Sequence, residues 1–342
     1  MATKGSVFLI GPGFIGLEIL NELLRDGYRV TTLVRREEAR ASIERLGSKT
    51  VLGNLDDADI IRREAEAAAI TIHTATADHQ PSAEAVLDGI AERAKIGKTS
   101  IYIHTSGCSA ITDDSGGAFV NDKIYKDDTP DDIDSIADNA PHRSIDLSII
   151  KRSKELGSKA KVSIVLPPLI YGKGQEGRLS IQLPTMARFA IKHGYAGYIG
   201  KGKSVWSHVH VSDLARGYLL ILRYLESTPA EEVLQNPYFF AENGEEYSWE
   251  RCAEEIGKAL HTAGKLEDPK PKEIPKDLYS YIFGDWSLSV VGQNSRSRAN
   301  RLRGLGWKPK EKSTFDSLVE DELPILLAEK SDFNGYAAAV AS

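Results

Sequence analysis

The feature that most constrains the chain lies near its start: Gly11-Pro12-Gly13-Phe14-Ile15-Gly16, a complete G-x-G-x-x-G, follows directly on the apolar run Val7-Phe8-Leu9-Ile10. In a strand–turn–helix, Gly11 permits the tight turn, Gly13 lets a diphosphate approach the backbone, and Gly16 allows helix and strand to pack closely. The helix that begins at Phe14 and Ile15 presents its amino terminus to the anion. These five residues, Gly11, Gly13, Phe14, Ile15 and Gly16, therefore read as a dinucleotide-binding turn, against the alternative of a glycine turn used only for packing.

The rest of the first half agrees. Ser6 to Ile10, Arg29 to Val34, Thr50 to Leu52, Ile70 to Thr74 and Ser100 to His104 read as buried strands, with helices near 14–25, 37–46, 57–68 and 82–96 between them. Such alternation implies right-handed crossovers and a parallel sheet covered on both faces, an α/β doubly wound Rossmann arrangement. A helix near 140–156 and a strand from Lys161 to Leu166 extend it, and Pro167-Pro168 stops that strand. Beyond residue 172 the rhythm breaks, with Gly172, Gly174, Gly177, Gly194, Gly197, Gly200 and Gly202 punctuating short segments. Residues 1–172 are expected to form the dinucleotide-binding domain. Residues 173–342 are expected to form mainly a smaller substrate-binding lobe, with some segments returning to the Rossmann domain. Helices are expected there near 212–226, 246–263 and 312–329.

Composition excludes several functions. With 43 Lys+Arg against 49 Asp+Glu, net −6, the surface does not suit nucleic-acid backbone, and a small-molecule partner is expected instead. Cys108 and Cys252 are the only cysteines, supporting neither a disulfide framework nor a cysteine zinc site. The stretch before Val7 carries no signal-peptide core and no membrane-length apolar run follows, so a cytoplasmic protein without a membrane association is expected. The acidic segment Asp127-Asp128-Thr129-Pro130-Asp131-Asp132-Ile133-Asp134 lacks the ligand order of a calcium loop and reads as a solvated loop; no metal site is expected. Monomer and homodimer both stay open.

The second strand ends in Val34-Arg35-Arg36, where an NAD site would place an acidic residue on the adenosine ribose. Two guanidiniums suit a 2′-phosphate, which favours NADP over NAD. The alternative leaves Arg35 and Arg36 in solvent with Glu37 or Glu38 serving the ribose. Asn54 and Leu55, after the third strand, either meet the adenine edge or begin a helix with Asp56.

Several motifs, in order, resemble the extended and atypical short-chain dehydrogenase/reductases, the superfamily that includes epimerase/dehydratases and fungal reductase-like members. They are Gly13-Phe14-Ile15-Gly16, Ile72-His73-Thr74-Ala75, Ile103-His104-Thr105-Ser106-Gly107, Pro167-Pro168-Leu169-Ile170-Tyr171-Gly172, His210-Val211-Ser212-Asp213-Leu214-Ala215 and Arg301 through Pro309. The resemblance implies cofactor contacts at Thr74, Ala75 and Pro167. It also implies a Ser/Thr plus Tyr-x-x-x-Lys catalytic set, in which the phenol moves a proton, the lysine lowers its pKa and the serine holds the substrate oxygen. Ser106 fits the serine. Where Tyr-x-x-x-Lys should lie the chain reads Pro141-His142-Arg143-Ser144-Ile145-Asp146, so those positions become His142 and Asp146.

One helical turn apart, His142 and Asp146 would share a face, the aspartate favouring an imidazolium that donates a proton and also accepting from a ribose hydroxyl. The bland reading is an i,i+4 pair that steadies a helix end. Tyr171 is a further candidate acid. Three functions compete: an NADP(H)-dependent oxidoreductase on a carbonyl or enone-like small molecule; a non-redox isomerase, dehydratase, lyase or cyclase; and an NADP(H)-sensing binding protein without catalysis.

Overall fold

The computed structural model describes residues 4–330 and 333–336. Its chain runs β1 (Ser6–Ile10), α1 (Phe14–Arg25), β2 (Arg29–Val34), α2 (Glu37–Leu46), β3 (Lys49–Leu52), α3 (Ala58–Ala67), β4 (Ile70–His73), α4 (Gln80–Lys95) and β5 (Ser100–Thr105). It continues with β6 (Tyr125–Lys126), α5 (Pro130–Asp134), α6 (Arg143–Leu156), β7 (Ala160–Leu166), β8 (Leu169–Tyr171), α7 (Gln182–His193), β9 (Gly197–Tyr198), β10 (Val205–His210), α8 (Val211–Ser227), α9 (Ala230–Gln235), β11 (Tyr238–Phe240), β12 (Glu246–Ser248) and α10 (Trp249–Thr262). Seven strands, in the order β11-β7-β5-β4-β1-β2-β3, form one sheet. Every pairing in it is parallel. Right-handed crossovers from β1 build outward in both directions, so the chain reverses course between β1 and β4, and the carboxyl ends of those strands open the crevice where such sheets bind ligands.

The central strands are buried along their length because helices cover both faces: Val7 to Ile10 and Tyr102 and Ile103 are buried, and so are the polar Thr71, His73 and His104 among them. Leu17, Leu20 and Leu23 of α1 pack into the same core, and so do Leu214, Tyr218, Ile221 and Leu225 of α8. That core thus draws on residues well past 172. A second core gathers Leu183, Met186, Phe189, Trp206, Trp249, Ile256 and Phe283, with Leu318, Leu323 and Leu326 from the helical stretch 314–328. Beside it β8, β10 and β12 make a three-stranded sheet.

Two features depart from the expectations above. The seventh strand, β11, is only Tyr238-Phe239-Phe240 and pairs with β7, more than seventy residues earlier, so no local period announces it. The acidic segment is not simply solvated. Asp127 is fully buried and accepts hydrogen bonds from the backbone N–H groups of Phe240 and Arg301 at 3.1 and 3.0 Å, tying the segment to β11. Burial pushes its carboxyl up to about 6, against the pull of those two N–H groups. Pro130 to Asp134 is a short helix. Among the described residues no helix is long and apolar enough to cross a membrane.

Candidate active site

The three glycines of the turn have three different surroundings. Gly11 has φ +91°, a left-handed conformation, and a Cβ there would stand 2.3 Å from the Ala75 nitrogen. A Cβ on Gly16 would stand 2.0 Å from the Gly11 oxygen, so α1 lies directly against the turn. Around Gly13 a Cβ would meet no protein atom within 4 Å. Thr74 braces the turn from just past the end of β4, its hydroxyl donating to the Gly11 carbonyl at 2.7 Å. No side chain caps the amino terminus of α1 and its first turn holds no acid, so its leading N–H groups are directed at the space over Gly13. This fits a diphosphate.

Past the end of β2, Arg35 and Arg36 are exposed, and among the described residues neither is engaged in a side-chain hydrogen bond or ion pair. Glu37 is taken by Arg40 at 2.8 Å. Asn54 is occupied locally. Its side-chain oxygen accepts from the Asp56 N–H at 2.7 Å, while Asp57 accepts from the Asn54 N–H at 2.7 Å, and Leu55 packs on the core. These contacts describe the entry to α3.

At the other end the expected trio divides into two groups. Ser106 follows β5 and its hydroxyl donates to Asp146 Oδ2 at 2.8 Å, both residues buried. Asp146 Oδ1 has no partner. Burial pushes the carboxyl up to about 7, opposed by the Ser106 hydroxyl and the nearby His142 and Arg143. Asp146 is fully enclosed.

His142 does not pair with Asp146 either. Helix α6 begins one residue later, at Arg143, and His142 is its cap residue with φ +67°, so the i,i+4 geometry of a helix interior does not apply. That left-handed turn directs the imidazole elsewhere: Nδ1 lies 2.6 Å from Asp78 Oδ1, and Nε2 lies 2.6 Å from Ser109 Oγ. An ionised carboxylate only accepts, so Nδ1 carries the proton toward Asp78; the neutral ring then accepts at Nε2 from the Ser109 hydroxyl, and the imidazolium donates to it. Ser109 sits on the 3₁₀ turn Cys108–Ile111 that follows β5, and Asp78 on the connection from β4 to α4. Sequence reasoning missed both, because 64 residues separate Asp78 from His142 and 33 separate Ser109 from it.

Tyr171 does not join either group. Buried on β8, its hydroxyl donates to the Lys312 carbonyl at 2.8 Å and accepts from the Asn243 amide at 2.9 Å, and burial pushes the phenol far up, so it is a brace of the second core. Pro167 is buried and its carbonyl accepts the Cys108 N–H at 3.0 Å, closing the floor between β7 and the serine turn. His73 and His104 are buried beneath, on Ser82 at 2.9 Å and Tyr102 at 3.0 Å, and burial holds both rings neutral.

A parallel Rossmann sheet with this glycine turn is the architecture of the NAD(P)-dependent, epimerase/dehydratase-like short-chain dehydrogenase/reductases, an oxidoreductase superfamily of enzymes. Within that class the chain belongs to the 3-beta hydroxysteroid dehydrogenase/isomerase family, whose model matches residues 7–265. It is 27% identical over 330 residues to Oxidase ucsJ of an Acremonium species, covering 89% of this chain and 92% of that one. It is 24% identical over 232 residues to the decarboxylating sterol-4-alpha-carboxylate 3-dehydrogenase of Dictyostelium discoideum, 64% of this chain and 67% of that one. The fold superimposes on dTDP-glucose 4,6-dehydratase of Bacillus anthracis, a complex with NAD, at a TM-score of 0.68 with 14% identity, covering 96% of this chain and 98% of that one.

Proposed function

We propose that the protein is an NADP(H)-dependent oxidoreductase acting on a small-molecule carbonyl or enone, with His142 as its proton-transfer group. The observation that carries this reading is the hydrogen-bonded line Asp78–His142–Ser109, 2.6 Å at each step, at the position where the family resemblance implies a tyrosine. A bound dinucleotide supplies the hydride. The protein's own residues supply the rest: Gly11, Gly13, Phe14, Ile15 and Gly16 take the diphosphate, and Arg35 and Arg36 take the 2′-phosphate. Thr74 and Ala75 shape the floor between the two ends, and residues 173–342 contribute most of the substrate side.

In reduction, Asp78 holds the imidazolium by Nδ1–H, and the proton at Nε2 passes to Ser109 Oγ while the serine hydroxyl releases its own toward the developing alkoxide. Oxidation runs the same transfers backward. Ser106 and Asp146 act one layer below, fixing the end of β5 against α6 so that the Ser109 turn and His142 face each other.

Titration with NADPH and NADH, followed by NADPH absorbance during turnover of a ketone panel, tests this. Tight NADPH binding, weaker NADH binding and loss of one NADPH per product are expected. Failure to bind any dinucleotide would sink the reading. Equal affinity for NADH would remove Arg35 and Arg36 from the site, and product without net NADPH loss would replace reduction by non-redox chemistry. His142→Ala should lower kcat by about 10²–10⁴-fold while changing the NADPH Kd by less than about threefold, because affinity rests on the turn and the arginines.

A further inference from the structure

The turn that takes the diphosphate contributes helix-end dipoles but no formal positive charge of its own, since none of residues 11–16 is basic. Among the described residues one cationic side chain hydrogen-bonds that turn, and it comes from the far half of the chain: Arg178 Nη1 donates to the Pro12 carbonyl at 3.3 Å. Its position is held on three counts. Gly174 lies so near Phe14 that a Cβ would stand 2.9 Å from the ring, which brings the two backbones together. The Gln175 N–H donates to Glu18 Oε1, on the second turn of α1, at 2.9 Å, and the Gln175 side-chain amide reaches Glu18 Oε2 at 3.4 Å. Arg178 returns the loop on itself, its carbonyl accepting from the Gly174 N–H at 2.9 Å. Residues 174–178 are thereby latched to the helix whose amino terminus faces the anion.

The remaining valence of the guanidinium is weakly committed. Nη2 lies 3.3 Å from Glu176 Oε2, a pair 44% and 54% exposed, and such exposed pairs hold little energy. A diphosphate over Gly13 offers a doubly charged, bidentate acceptor in its place, the geometry guanidinium suits best.

We infer that Arg178, carried by the 174–178 loop of the second lobe to the edge of the glycine turn, is a diphosphate-binding residue that supplies the positive charge the turn lacks. The inference rests on the dinucleotide reading above and extends it: the second lobe, and not only the Rossmann half, contributes to cofactor affinity, so occupancy of the turn steadies the lobe that faces the substrate.

Full-length wild type, Arg178→Met and Arg178→Lys are titrated with NADPH, NADH and adenosine 2′-monophosphate, which keeps the 2′-phosphate and lacks the diphosphate. Arg178→Met should weaken NADPH and NADH alike, by about tenfold each, a loss typical of one charge-assisted contact at a half-exposed site. It should leave adenosine 2′-monophosphate unchanged, and Arg178→Lys should recover part of the loss. Because Arg178 is half-exposed, the melting temperature without ligand should match wild type, which separates a charge effect from a folding defect. Equal dinucleotide affinity in wild type and Arg178→Met would overturn the inference while leaving dinucleotide binding intact; an equal loss for adenosine 2′-monophosphate would also overturn it, by assigning the effect to loop structure. A wild type that binds none of the dinucleotides would instead overturn the reading beneath it.

Discussion

His142 reaches Asp78 and Ser109 from a backbone conformation that costs a non-glycine residue roughly 1–2 kcal/mol, and two short hydrogen bonds from its ring offset that cost. Each partner has a separable task. Ser109→Ala removes the relay hydroxyl but leaves the imidazole, so kcat should fall by about 10–100-fold; Asp78→Asn replaces a charged acceptor at Nδ1 with a neutral one and should cost about tenfold, both read by steady-state kinetics at saturating NADPH. Asp146 makes a prediction about stability. Its carboxyl rises from 3.8 to about 7 on folding, so between these values the folded state holds a proton that the unfolded chain has released, and stability falls as pH rises through that window. Asp146→Asn lacks the titration and keeps an acceptor for Ser106. Its melting temperature relative to wild type should therefore rise between pH 5 and pH 8 in a thermal-shift series, and a constant difference would refute the burial of an ionisable group there.

At the scale of elements, the glycine turn separates folding from binding within six residues. Gly16→Ala puts a methyl 2.0 Å from the Gly11 carbonyl and should force α1 off β1, costing several kcal/mol and most of the folded yield. Gly13→Ala meets no protein atom within 4 Å and should melt within about 1–2 °C of wild type, yet lose NADPH affinity by about 100-fold because the methyl occupies the phosphate position. Calorimetry with and without cofactor distinguishes the two. The strands around this turn were legible because parallel strands buried on both faces are rich in apolar and β-branched side chains: Ser6–Ile10 and Arg29–Val34 fall where the pattern puts them. Tyr238–Phe240 escaped because three residues cannot display a period and its partner strand is remote. The entry to α6 was misread by the same reasoning in reverse. Spacing alone assumed a helix through His142, whereas the chain turns left-handed there and begins the helix at Arg143.

For the whole molecule, cofactor binding should appear as stability. A ligand at 100 times its Kd adds about 2.7 kcal/mol, which for a chain of 342 residues corresponds to roughly 3–4 °C in melting temperature. NADPH should produce that shift, NADH should need a higher concentration to match it, and Arg178→Met should require about ten times more of either. An equal shift for both nucleotides at equal concentration would count against Arg35 and Arg36 as the 2′-phosphate site.

The sequence by itself determined the parallel sheet, the G-x-G-x-x-G turn and the pair of arginines beyond β2, because each is a local pattern: a burial period, a glycine spacing, a charge at a strand end. It also located His142 as the residue standing where a tyrosine is expected. Which groups meet His142 was decided only in three dimensions. Ser106 and Asp146, nearest by motif, turn inward to each other, while Asp78 and Ser109 come from two separate crossover connections that the sheet order β4-β5 sets side by side. The same holds for Arg178, which reaches Pro12 across 166 residues. A contact between loops carried by neighbouring strands leaves no periodic trace in either loop, since loop residues answer to the positions of their anchors and not to a repeat of their own.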